Sequence, residues 1–190
     1  MVVEYANLWH PALQRIHDTY PHRLEQPRWH GFGIAVFSKL PLVKKRVLPT
    51  AGSRFDSPLV VATVNVGDRN LRIAGTHLLS PMDRNRLEIR NLQISNIGRH
   101  LSAESEPTIL VGDFNCVPWS PFLSDFLSRT GYRDSRQGFG YDGTWYANRL
   151  FLRIPIDHAF VSPQVKVHSR TVGQSAGSDH FPVILDVSVE

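Results

Sequence analysis

The sequence predicts a single α+β domain with many strands and few helices. Short apolar, β-branched runs of strand length recur from Ile34-Ala35-Val36-Phe37 to the end of the chain, while only three segments carry helical spacing. No repeat, low-complexity tract or linker divides the 190 residues, and 42% hydrophobic content suits one sizeable core. Residues 1–190 are therefore expected to form one domain.

In chain order, Leu8, Trp9, Leu13 and Ile16 predict a helix over 7–20, with Asn7 as N-cap and Pro21 as stop. A strand over 34–38 follows the flexible Gly31 and Gly33. Segments 59–66 and 70–76 predict a hairpin turned by Gly67-Asp68. The strongest helix runs over 84–101, with Leu87, Ile94, Ile97 and Leu101 on one stripe. A strand over 108–111 leads into Gly112-Asp113-Phe114-Asn115. Ser120-Pro121 opens a short helix in the N-cap/N1 arrangement, and Gly131 closes it. Residues 132–150 are Gly- and aromatic-rich and read as loop, and strands follow over 156–161, 165–172 and 182–189.

Composition narrows function only a little. A net charge of +4 and a pI near 9.5 favour an anionic partner or substrate without naming one. The lone Cys116 excludes an intramolecular disulfide and a multi-cysteine zinc site. No window has the apolar length of a membrane span, no signal peptide opens the chain, and no segment points to a protein partner.

Chemistry concentrates where strands begin or end. Asp113 and Asn115 stand two residues apart on an extended chain, so they leave the strand on one face. His77 closes another strand, Asp157-His158 opens a third, and Asp179-His180 precedes the last. Each has an ordinary alternative: a capping histidine, an Asp157–Arg153 ion pair, a solvated turn. Several carboxylates at strand ends are nevertheless costly unless paired or metal-bound.

Gly75-Thr76-His77-Leu78-Leu79-Ser80-Pro81, Gly112-Asp113-Phe114-Asn115, Ile156-Asp157-His158 and Ser178-Asp179-His180 resemble, in order, the motifs of the endonuclease/exonuclease/phosphatase superfamily. That superfamily includes pancreatic deoxyribonuclease, abasic-site endonucleases, inositol polyphosphate phosphatases and neutral sphingomyelinases. The resemblance runs from about Val2 to Val189. It implies a four-layer α/β/β/α sandwich of two mostly antiparallel sheets. It also implies a phosphoric ester hydrolase that uses a divalent metal, Mg2+ or in its place Mn2+.

The same resemblance marks Glu4, at the end of Val2-Val3, as a metal ligand. It makes Asp179 either the partner of His180 or a further metal ligand, and likens Thr144-Trp145 to the family's Thr-Trp. The family's first strand, with its asparagine, and the following helix have no counterpart before Val2. The resemblance thus implies an N-terminally truncated chain, the soluble catalytic part of a membrane-anchored bacterial protein. An uncovered sheet edge would follow, giving either an edge-paired or swapped oligomer or a disordered start over 1–4.

Phosphoester hydrolysis needs an activated water, charge relief on phosphoryl oxygens and a stabilised leaving group. Asp113 suits the general base and Asn115 a donor to the water or a phosphoryl oxygen. His180 suits a donor to developing negative charge, His77 a contact to phosphate or leaving group, and Asp157 a ligand for the metal or its waters. Asp113 and His180 can exchange roles, since an Asp–His pair also makes a base. The expected function is hydrolysis of phosphodiesters, DNA or RNA among them. The alternatives are a non-catalytic binding module of the same fold and a phospholipid or inositol phosphate phosphoesterase.

Overall fold

The computed structural model describes residues 1–29, 31–51, 57–103, 105–147 and 151–190. Its centre is a six-stranded sheet, built from β4 (Val43–Leu48), β5 (Leu59–Val66), β6 (Arg69–His77), β7 (Thr108–Asp113), β9 (Asp157–Val161) and β8 (Arg133–Asp134), in that spatial order. Only β6 and β7 run parallel, because α2 (Arg84–Ser102) carries the chain between them. Every other neighbouring pair is antiparallel.

Burial on both faces explains the strand sequences. In β5, Leu59 and Val61 point to the helical side, and Val60, Ala62 and Val64 to the other. The helical layer is α2 and α3 (Pro121–Thr130), which bury Ile94, Ile97, Leu101, Leu123 and Phe126 against Leu110, Phe114 and Phe160. Asp83 caps α2 by accepting from Arg86 N at 2.8 Å. α3 has Pro121 in its first turn and ends at Gly131 in the left-handed conformation, φ 71°.

The opposite face is covered by two separate small sheets. One has the order β1 (Val2–Val3), β3 (Ile34–Ser38), β2 (His22–Gln26); the other pairs β10 (Val165–Val172) with β11 (Val183–Val189). Leu24, Ile34, Val36, Val165, Leu185 and Val187 pack with the β5 and β6 residues beneath. The outer helical layer is thin. Tyr5 and His17 pack on Phe37, and between them lie a 3-10 turn over Asn7–Trp9, α1 (His10–Leu13) and a second 3-10 turn over Gln14–Ile16. The layer order is thus the expected α/β/β/α.

Three expectations need correction. The helix over 7–20 is only these short turns, because Pro11 interrupts it and its apolar residues find no floor: Leu8 is 91% exposed. Strands β2 and β4, unexpected from their charged sequences, are present. The start is not disordered, since Val2 and Val3 pair with Ala35 and Ile34 and the Met1 amino group is buried. Residues 148–150 of the expected loop lie outside the described residues. The segment before them is mostly irregular, apart from β8.

Candidate active site

Sheet register assembles the site. β6 and β7 set His77 beside Asp113, and β7 and β9 set Asp113 beside Asp157. Three chemically active side chains from three strands therefore stand in one row at one end of the sheet. Gly112 lets β6 and β7 close up, because a Cβ there would lie 1.8 Å from the Thr76 carbonyl oxygen. His180, in the segment before β11, completes the group: its Nδ1 lies 2.8 Å from Asp157 Oδ2.

Each member is held from behind. His77 Nδ1 donates to the Gly31 carbonyl at 3.1 Å, which leaves Nε2 facing Asp113 Oδ2 at 3.5 Å. Asn115 adopts a left-handed φ of 46°, which asparagine tolerates. Its backbone N donates to Asp113 Oδ1 at 2.7 Å, and its Nδ2 donates to Leu78 O at 2.9 Å and Asp113 Oδ2 at 3.2 Å. Both amide hydrogens thus have partners, Leu78 O and Asp113 Oδ2. Arg90 of α2 donates to the Asn115 carbonyl at 2.6 Å. Thr144 Oγ1 accepts from Asp157 N at 3.3 Å, and the Thr144 carbonyl accepts from Phe181 N at 2.8 Å, tying β9 to the His180 segment.

Electrostatics follow from this crowding. Burial and the charge of Asp157 push Asp113 up to about 7. Burial lowers His77 to about 4, with the charge of His180 acting the same way. Burial opposes charge on His180 too, but the hydrogen bond to Asp157 and its carboxylate outweigh this and raise the pKa.

The structure pairs the expected residues differently. Asp157, not Asp179, is the hydrogen-bond partner of His180. Asp179 is exposed and its Oδ2 accepts from Trp145 Nε1 at 3.2 Å. Arg153 does not pair with Asp157 but lies over the Phe181 ring, 4.6 Å from its centroid. His158 points into the helical side, donating from Nε2 to Cys116 O at 2.7 Å and stacking on Phe160. Glu4 follows β1, exposed with φ 56°, close enough that Asp113 feels its charge. Gly31, marked in the sequence only as a flexible lead into the strand over 34–38, holds His77 through its carbonyl, and Arg90 braces Asn115. An arginine on the inward side of α2 was the available signal for Arg90.

Among the described residues, Asp113, Asp157 and His180 offer ligand atoms within 4.8 Å of one another. Two carboxylates facing each other, one forced towards its protonated form, are the donor chemistry a divalent cation would relieve.

The Endonuclease/Exonuclease/phosphatase family profile matches residues 3–180. The chain belongs to this family. Solved family structures resemble it at low identity. An endonuclease/exonuclease/phosphatase from Beutenbergia cavernae is 21% identical with a TM-score of 0.79, over 95% of this chain and 57% of that one. This chain thus spans little more than half of that protein. TDP2 from D. rerio, complexed with a single-strand DNA product, is 15% identical with a TM-score of 0.79, over 98% and 84% of the two chains. A mannosyl-6-phosphatase from Bacteroides thetaiotaomicron is 19% identical with a TM-score of 0.71, over 95% and 82%. At these identities the likeness is one of fold. A search of curated proteins finds no match. No helix among the described residues is long and apolar enough to cross a membrane.

Proposed function

We propose that this family member is a metal-dependent phosphoesterase that hydrolyses phosphodiesters, nucleic acids foremost, by an activated water. One observation carries the reading: a buried carboxylate, Asp113, raised to about 7 and set in register between His77 and an Asp157–His180 pair. A pKa near the working pH is what a general base needs. Family membership and the DNA-bound neighbour support the substrate class.

Asp157 would hold the metal, Mg2+ or in its place Mn2+, with Asp113 and His180 beside it and Glu4, whose charge reaches Asp113, as a further ligand. Bound there, the ion would draw charge from the phosphoryl oxygens. Asp113 accepts the proton of the attacking water at Oδ2, with unprotonated His77 Nε2 beside it to share that proton. Asn115 keeps the Asp113 carboxylate oriented. His180, held in its charged form by Asp157, donates from Nε2 to the oxygen that gathers negative charge. Asp179 adds negative charge behind His180 and holds Trp145.

Hydrolysis of bis(p-nitrophenyl) phosphate and nicking of plasmid DNA with Mg2+ test the proposal. Activity should vanish with chelator and return with metal. His180→Gln should cost roughly a thousand-fold in kcat. Turnover indifferent to both chelator and this substitution would overturn it.

A further inference from the structure

At the edge of the central sheet, just past β8, three buried polar side chains take no part in the hydrolytic chemistry: Ser135, Arg136 and Arg170. Among the described residues, none of the three guanidinium nitrogens of Arg170 has a hydrogen-bond partner, and neither has Arg136 Nη1 or Ser135 Oγ. We infer that these residues bind a small monovalent anion, chloride in ordinary solution, which joins the β10–β11 layer to the end of β8.

Local structure places the group. A β-bulge between Val167 and Ser169 shifts the inward positions of β10, so Arg170 follows Val165 into the interior and is only 3% exposed. Ser135 is fixed by its backbone N, which donates to Ala159 O at 3.0 Å. Arg136 is fixed by Asp134, whose Oδ1 accepts from Arg136 N and Nε at 2.9 Å each and whose Oδ2 accepts from Nη2. Nη2 also donates to His158 Nδ1 at 3.3 Å. Arg136 thus keeps Nη1 to spare, while the Asp134 carboxylate is already occupied by Arg136.

Charge then favours an anion. Two guanidiniums and one carboxylate leave one positive charge in excess. Burial opposes the charge of Arg170, and the neighbouring charge of Arg136 opposes it further, yet a guanidinium stays protonated. Asp142 and Asp157 are near enough for Arg170 to feel their charge, but neither bonds it. A buried cation without a counter-charge is costly. The donor inventory sets the class of ligand. Every open group can donate, so the site asks for an acceptor that needs nothing in return. A halide meets this and carries the single charge required. Phosphate brings a P–OH that would need an acceptor, and a metal cation would be repelled.

Thermal unfolding in chelator, at one ionic strength with chloride exchanged for gluconate, tests the site. The parent should unfold about 4 °C higher at ten times the half-saturating chloride concentration than in gluconate, and the gain should saturate. Arg170→Met removes a buried charge that lacks a partner. This variant should be at least as stable as the parent in gluconate and gain nothing from chloride. Ser135→Ala deletes one donor and should raise the half-saturating chloride concentration roughly five-fold. Crystals soaked in bromide should show an anomalous peak between Arg136 and Arg170. Equal unfolding temperatures of the parent in the two salts, or a chloride gain that Arg170→Met retains, overturns the anion site. Bromide found only at the surface also overturns it.

Discussion

Asp113 is the residue on which stability and function pull apart. Its native pKa of about 7 lies above the unfolded value of 3.8, so folding is penalised once the carboxylate ionises. The penalty grows as pH rises from about 4 through 7 and is full above that. Without metal, Asp113→Asn should therefore stabilise the fold at pH 8, by on the order of 3 kcal/mol, and by much less at pH 5, while abolishing turnover. Thermal unfolding at the two pH values in chelator checks this. His77 and His158 have the opposite sign: buried and lowered to about 4, they take protons more readily unfolded, so their contribution fades as pH falls below 6.5. A second test concerns the two aspartates. Asp157→Asn, which breaks the bond to His180, should cost at least ten-fold more kcat than Asp179→Asn, which loosens Trp145. The sequence pointed to these acids and histidines but hid this pairing. Asp179 is adjacent to His180 in the chain, whereas Asp157 reaches it only because Thr144 ties β9 to the segment carrying His180.

At the level of elements, the β6–α2–β7 unit sets the site. Gly112→Ala would drive a Cβ into the Thr76 carbonyl and part the two strands that hold His77 beside Asp113. The expected loss is on the order of 3 kcal/mol in urea unfolding, with activity falling further than the folded fraction. This unit was readable in the sequence. β5 and β6 alternate between two apolar faces, α2 carries an inward stripe of Ile94, Ile97 and Leu101, with Leu87 of the expected stripe exposed instead, and Ser120-Pro121 and Gly131 bracket α3. β2 and β4 were not readable for opposite reasons. His22–Gln26 buries only Leu24, and Val43–Leu48 is an exposed edge whose lysines guard against further pairing. The 7–20 helix was over-read because its spacing was right but no surface lies beneath Leu8 and Trp9.

Across the whole molecule, the layer facing away from α2 and α3 is split. β1 and β11 each pair on one side only and flank a cleft of about 450 Å³ whose floor includes Asp113 and Asp157. Strands with one bonded edge open more readily than the centre of a six-stranded sheet. Amides of β1 and β11 should therefore exchange hydrogen far faster than those of β5 to β7. The same edges favour self-pairing, and sedimentation velocity should show a dimer that grows with concentration. A monomer at every concentration would count against edge pairing while leaving the site untouched. The site itself is most directly examined by one measurement: the rate of bis(p-nitrophenyl) phosphate hydrolysis with Mg2+, with chelator, and by Asp113→Asn. The account predicts turnover with Mg2+, none with chelator, and a loss of roughly a thousand-fold or more in the variant. A parent that turns over equally in chelator, or a variant that matches the parent, would contradict it.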